Sequence, residues 1–304
     1  MIKNGLLVKG VGGLYSVQTD DALYTCTARG VFRNKKISPL AGDKVSILIE
    51  DEEKKTASIQ TIEPRKNTLL RPAAANIDRV IVTMAAAQPD FNAGLLDRFL
   101  IIVARAGIEA VVCINKSDLL GPSVVDAPLF MPYKMAGYPV IFVSAKTEGG
   151  LAPLHAALAG KLTVFAGPSG VGKSSLINTL LPHAQQEVGE ISTKLRRGKH
   201  TTRAATVNTV NANEDVSMTL TERLKNGYVV DTPGFSSLDI EQIPPRELGL
   251  YFKEFLPFIG LCKFTDCTHN IHDKTEHCAV KAQINKKIHK KRYDSYLKIM
   301  NHVV

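Results

Sequence analysis

Gly167-Pro-Ser-Gly-Val-Gly-Lys-Ser-Ser175 is the stretch that most narrows what this chain can become. It follows the apolar run Leu162-Thr-Val-Phe-Ala166 and leads into the helix-like run Ser175-Leu-Ile-Asn-Thr-Leu-Leu181. A strand turning through a glycine-rich loop into a helix belongs in a layered α/β sheet. The glycines let backbone N–H groups converge with no Cβ in the way, and the helix N-terminus adds its positive end. Such a loop cradles phosphates. Gly167, Pro168, Ser169, Gly170, Val171, Gly172, Lys173, Ser174 and Ser175 are the expected binding residues. Lys173 is expected to reach the β- and γ-phosphates as a catalytic cation, and Ser174 to ligate Mg²⁺.

Further apolar runs flank the loop in sequence: Arg79–Met84, Ala110–Ile114, Pro139–Val143 and Tyr228–Asp231. Leu95, Leu96, Phe99, Leu100 and Val103 recur at helical spacing between the first two and stop at Gly107. Apolar strands alternating with helices predict a parallel sheet covered on both faces. Ligands of such sheets sit beyond the carboxyl ends of the strands. Three more motifs fall there. Asp231-Thr-Pro-Gly234 can hold the Mg²⁺ shell through Asp231 and offer the Gly234 N–H to a γ-phosphate. Asn115-Lys116-Ser117-Asp118 places a carboxylate that suits guanine N1–H and its exocyclic amine. Adenine would leave that carboxylate unpaired, at a cost of about 1–3 kcal/mol. The Lys116 stem can cover the base, and Asn115 can brace neighbouring loops. Ser144-Ala145-Lys146 can turn backbone N–H groups toward guanine O6. Together the motifs specify GTP.

Their order is unusual. The base-reading motifs precede the phosphate loop, so the sheet is expected to be circularly permuted. The segment after Asp231–Gly234 then runs directly into the C-terminal region.

That region gathers Cys262, Cys267, His269 and Cys278. Three thiols and one imidazole suit a closed tetrahedral Zn²⁺ site of structural type. At the other end, residues 1–64 read as short strands separated by Gly12-Gly13, Asp20-Asp21 and Gly42-Asp43. About five strands in this length predict an OB-fold barrel. The expected domains are therefore 1–66, 67–240 and 241–304. No apolar run approaches the roughly 18–20 residues of a membrane span, so no membrane partner is expected. A cytoplasmic monomer is expected, with five cysteines outside disulfides. Cys26 and Cys113 suggest no function.

With the permuted order, the barrel, Asn76-Ile-Asp-Arg79, Gly198-Lys-His-Thr-Thr-Arg203 and the late cysteines together, the sequence resembles the ribosome small subunit-dependent GTPase A (RsgA/YjeQ) family. The resemblance covers nearly the whole chain. It implies an OB domain, a permuted GTPase and a zinc domain, acting in maturation of the small (30S) ribosomal subunit. It also implies GTP hydrolysis stimulated by that subunit, and a barrel that approaches the decoding region of its 16S rRNA. Many GTPases orient water with a Gln after the Asp-x-x-Gly glycine; here that residue is Phe235. In the family a histidine matching His200 is proposed to orient water or act as base. Thr201 or Thr202 can ligate Mg²⁺, and the spacing does not choose between them. The family spaces its histidine and last cysteine by five residues, against eight here. His272 and His277 are thereby alternatives to the preferred Cys278 as fourth zinc ligand. A nucleotide-regulated RNA-binding module with little intrinsic hydrolysis is the alternative reading.

The formal charge of +9 is unevenly spread. Residues 1–64 are near balance, with Arg29, Arg33, Lys35 and Lys36 as their basic cluster. Residues 279–304 hold seven basic residues (Lys281, Lys286, Lys287, Lys290, Lys291, Arg292 and Lys298) against Asp294. This tail is expected to neutralise phosphates, and its removal after about residue 280 to spare GTP binding.

Overall fold

The computed structural model describes residues 1–30, 32, 37–70, 73–121, 126–181, 205–210, 225–231, 243–270 and 274–303. The expectations at Arg33, Lys35, Lys36, His200, Thr201, Thr202, Gly234, Phe235 and His272 lie outside these residues. Of Asp231, only the backbone is described.

In chain order the strands are β1 Ile2–Val11, β2 Leu14–Gln18, β3 Leu23–Ala28, β4 Lys44–Asp51, β5 Thr56–Ile62, β6 Thr68–Leu70 and β7 Ala73–Ala75. They continue as β8 Arg79–Ala85, β9 Glu109–Asn115, β10 Val140–Phe142, β11 Leu162–Ala166, β12 Thr206–Thr209 and β13 Tyr228–Asp231. The helices are α1 Ala93–Arg105, α2 Met131–Met135, α3 Leu151–Leu158, α4 Lys173–Leu180 and α5 Lys290–Val303. They divide between two compact units. One comprises Met1–Val80, Ala152–Phe165 and Lys173–Phe235; the other comprises Ile81–Leu151, Ala166–Gly172 and Ser236–Val304.

In the first unit, β1 to β5 close into the expected barrel. β1 pairs antiparallel with β4 through its first half and with β2 through its second. β3 and β5 pair in parallel, and β4 and β5 antiparallel. Alternation directs the packing: in β3, Tyr24 and Cys26 point inward while Leu23, Thr25 and Thr27 face out. Tyr24 and Cys26 join Leu7, Val17, Val45, Ile47 and Ile59 in one buried cluster. Lys3-Asn4-Gly5 interrupts the apolar alternation of β1, so the residue pattern alone does not reveal that strand. In the same unit β11 runs parallel to β13, and β12 lies antiparallel to β13.

In the second unit the strand order is β10-β9-β8, with β9 and β10 parallel. Asn92 caps α1 by accepting the Leu95 N–H at 2.9 Å. The buried face of α1 is Leu96, Phe99, Leu100, Ile101 and Val103, in keeping with its spacing, with Asp97 buried among them. C-terminal to this sheet come short 3-10 turns at Leu248–Tyr251, Leu256–Phe258, Thr275–His277 and Lys281–Gln283, then α5. Phe252, Phe255, Val280, Ile288, Tyr293, Tyr296, Ile299 and Met300 pack as their common core, with Ile101 of α1.

Candidate nucleotide site and metal centre

The second unit brings three of the sequence motifs together around one asparagine. Asn115 ends β9 and is 1% exposed. Its Nδ2 donates to the Val171 carbonyl at 2.8 Å, and its Oδ1 accepts the Ala145 N–H at 3.2 Å. The bracing role expected of Asn115 is thus met by geometry on both sides. Lys116 takes a left-handed backbone with φ 59°. That turn sends its ammonium back to donate to the Gly170 carbonyl at 2.8 Å and to the Gln88 carbonyl. Ser144 is 2% exposed, and its Oγ accepts the Thr147 N–H at 3.2 Å. Its own N–H donates to the Gly149 carbonyl, closing the loop that carries Ala145 and Lys146. Asp118 and Lys146 are exposed at the rim.

The glycines of the phosphate loop are fixed by these neighbours. A Cβ on Gly167 would sit 2.1 Å from the Thr83 carbonyl oxygen, and one on Gly172 would sit 2.3 Å from Asn115 Nδ2. Both positions have positive φ, 139° and 92°, which favours glycine independently. Val171 is buried and anchors the loop; Pro168 is half-buried, and Ser169 and Gly170 are exposed. The chain enters α4 at Lys173, so the expected strand–loop–helix order is present. Ser174 and Ser175 are exposed on its first turn, where a hydroxyl can meet a hydrated Mg²⁺. Burial pulls the Lys173 ammonium below the ordinary lysine value. A bound polyphosphate would reverse that shift.

Gln88 and Pro89 are site neighbours that carry no sequence motif. Gln88 acts through its carbonyl, and Pro89 packs 3.8 Å from the Cβ position of Gly170. A backbone carbonyl leaves no residue signature, so no pattern could have found Gln88.

The metal centre forms as expected. The donor atoms of Cys262, Cys267, His269 and Cys278 all lie within 4.8 Å of one another. The three sulfurs stand 3.5, 3.4 and 3.5 Å from His269 Nδ1. A tetrahedral zinc with bonds of about 2.3 Å to sulfur and about 2.0 Å to nitrogen sets that separation at roughly 3.5 Å. The residues therefore fit zinc, with Nδ1 as the imidazole donor. Backbone N–H groups of Ala279 and Lys281 point to Cys262 Sγ and Cys278 Sγ at 3.3 and 3.4 Å. Such donors favour thiolates, against a burial that raises the thiol of Cys278. His277 stands apart from the cluster, its Nε2 3.4 Å from Lys263 Nζ. The longer gap before Cys278 is taken up by the Thr275–His277 turn. Tyr293 of α5 donates to the His269 carbonyl at 2.9 Å, and Tyr296 donates to that of Thr268.

One expectation for the tail changes. Arg292 is 2% exposed and pairs with Asp97 and Glu254, its guanidinium 4.7 Å from the Phe252 ring centre. It holds α5 against α1 and takes no part in a phosphate surface. Lys286, Lys287, Lys290 and Lys291 are exposed.

A phosphate loop braced by an asparagine that precedes it in the chain defines a circularly permuted GTPase, here with a barrel before it and a thiol-rich metal centre after it. The chain belongs to the RsgA GTPase family. The RsgA GTPase family model matches residues 62–241, and the RsgA N-terminal domain model matches residues 4–58. The small ribosomal subunit biogenesis GTPase RsgA of Alkaliphilus metalliredigens is 43% identical over 303 residues, covering 99% of this chain and 98% of its own. That of Clostridium novyi is 41% identical over 304 residues, covering 99% and 97%. Among solved structures, YjeQ from Thermotoga maritima superposes with a TM-score of 0.80 at 31% identity, over 100% of this chain and 99% of its own. YloQ, described as a circularly permuted GTPase, gives 0.78 at 33% identity, over 100% and 95%. No helix among the described residues is long and apolar enough to cross a membrane.

Proposed function

We propose that this chain hydrolyses GTP during maturation of the small ribosomal subunit, with that subunit as its partner and stimulator. The relatives' names carry the biological setting. The observation that carries the chemistry is Asn115, which ties the phosphate loop to both base-reading loops through two hydrogen bonds. Asp118 would accept from guanine, and the N–H groups of the Ser144–Lys146 loop would serve O6. Lys173 and the loop N–H groups would hold the phosphates. Ser174, Asp231 and one of Thr201 and Thr202 would hold Mg²⁺, which supplies charge neutralisation when bound. Lys173 and the Gly234 N–H would stabilise charge on the transferring phosphoryl group, and His200 would orient the attacking water or act as its base.

Residues 1–66 would serve as the RNA-facing barrel, 67–240 as the GTPase and 241–304 as the zinc-bearing domain, contacting 16S rRNA as a cytoplasmic monomer. The base assignment is tested by Asp118→Asn. An amide offers a donor where guanine needs an acceptor, so GTP affinity should fall at least tenfold and affinity for xanthosine triphosphate should rise. Unchanged GTP affinity would remove Asp118 from the base site.

A further inference from the structure

Cys262 and Cys267 bracket four residues, Lys263, Phe264, Thr265 and Asp266, and all four are exposed. Phe264 is 52% exposed, although Phe252 and Phe255 nearby in sequence are fully buried. The loop that presents it is well tied. Both of its ends are donors of the metal centre. The Lys263 N–H donates to the His277 carbonyl at 2.9 Å, and the Cys267 N–H to the Phe264 carbonyl at 3.4 Å. The His277 ring stands perpendicular to Phe264 with centres 5.4 Å apart, and Lys263 Nζ lies 5.9 Å from the phenyl centre. An aromatic ring is thus held at the surface of a cross-linked loop, beside an ammonium and an imidazole.

We propose that Phe264 is a stacking platform for an unpaired RNA base, with Lys263 placed for the adjoining phosphate. This rests on the reading above that an RNA-containing particle is the partner. Unpaired bases are taken up by proteins on exposed aromatic rings, zinc knuckles included, with cations beside them for the backbone. A pre-ordered ring loses little entropy on stacking. Charge favours nucleic acid over an apolar protein pocket: an ammonium beside the ring would be stranded in such a pocket, and the same C-terminal region exposes Lys286, Lys287, Lys291 and Lys298.

The chain contains no tryptophan, so Phe264→Trp creates a single fluorescent reporter at the platform. The zinc-loaded, full-length variant is titrated with octaadenylate. Saturable quenching is expected, with Phe264→Tyr binding like the native chain. Phe264→Ala and Phe264→Leu should each weaken binding at least about fivefold. Zinc content measured on every variant shows that the knuckle is intact. No quenching in the tryptophan variant overturns the proposal, as does native affinity in the leucine variant, which would mark an apolar anchor. Loss of subunit binding by Phe264→Ala with unchanged octaadenylate affinity overturns it in favour of a protein partner. Subunit-stimulated hydrolysis by the native chain is a separate reading: its presence beside absent quenching removes the platform alone.

Discussion

Arg292 Nε donates to Glu254 Oε1 at 2.6 Å, and the two side chains are only 2% and 3% exposed. Asp97 of α1 takes the other side of the same guanidinium. Burial works against the charge on Arg292, but the two carboxylates outweigh it and hold its pKa well above the ordinary value. A change in posture of α5 against α1 on hydrolysis would have to open this cluster.

Arg292→Met should therefore destabilise the chain by about 3–5 kcal/mol, because it strands two buried carboxylates. Adding Asp97→Asn and Glu254→Gln should recover part of that loss. Urea midpoints of the three chains check it; equal midpoints for the native chain and the single variant would contradict it.

The same packing changes how the basic tail should be tested. Removing residues after about 280 would take away Tyr293, Tyr296, Ile299 and Met300, which are core residues. That truncation is expected to unfold the C-terminal region instead of trimming a charged surface. Lys286→Glu, Lys287→Glu and Lys291→Glu alter exposed side chains instead. Together they should flatten the salt dependence of subunit binding, by roughly one unit of log–log slope for each phosphate these lysines neutralise. An unchanged slope would take them out of the interface.

Gly172→Ala meets two obstacles at once, the positive φ of 92° and an approach of 2.3 Å to Asn115 Nδ2. The asparagine must move, and its bond to the Val171 carbonyl breaks. GTP affinity should fall at least tenfold in equilibrium titration, while the barrel's own packing is untouched. Native affinity would mean that the Asn115 brace is dispensable.

Purified protein should carry one equivalent of zinc. Cys278→Ser should lose it, whereas His277→Ala should keep it, since His277 lies outside the donor cluster. Chelation should lower the thermal stability of the C-terminal region, because binding and folding are linked there. Zinc loss in the His277 variant would reassign the fourth ligand.

The nucleotide loops are legible in the sequence because their chemistry demands fixed residue types at fixed spacing. Gly167 and Gly172 have a backbone reason to be glycine, and Asn115 a side-chain one, since its amide both donates to the Val171 carbonyl and accepts the Ala145 N–H. The zinc donors are legible for the same reason, including Cys278 despite its longer gap. Arg292 reads as surface charge because its partners lie 195 and 38 residues away, where periodicity carries no information. Asp97 on the apolar face of α1 is the available signal: a carboxylate there requires a buried cation. Gln88 leaves no signal, since it contributes a carbonyl.

The central claim is tested most directly by GTP turnover of the purified chain with and without small ribosomal subunits, in the presence of excess ATP. The account predicts slow turnover alone, a rise of at least tenfold with subunits, no inhibition by ATP, and loss of most of that rise in His200→Ala with GTP binding retained. Equal turnover with and without subunits would contradict it.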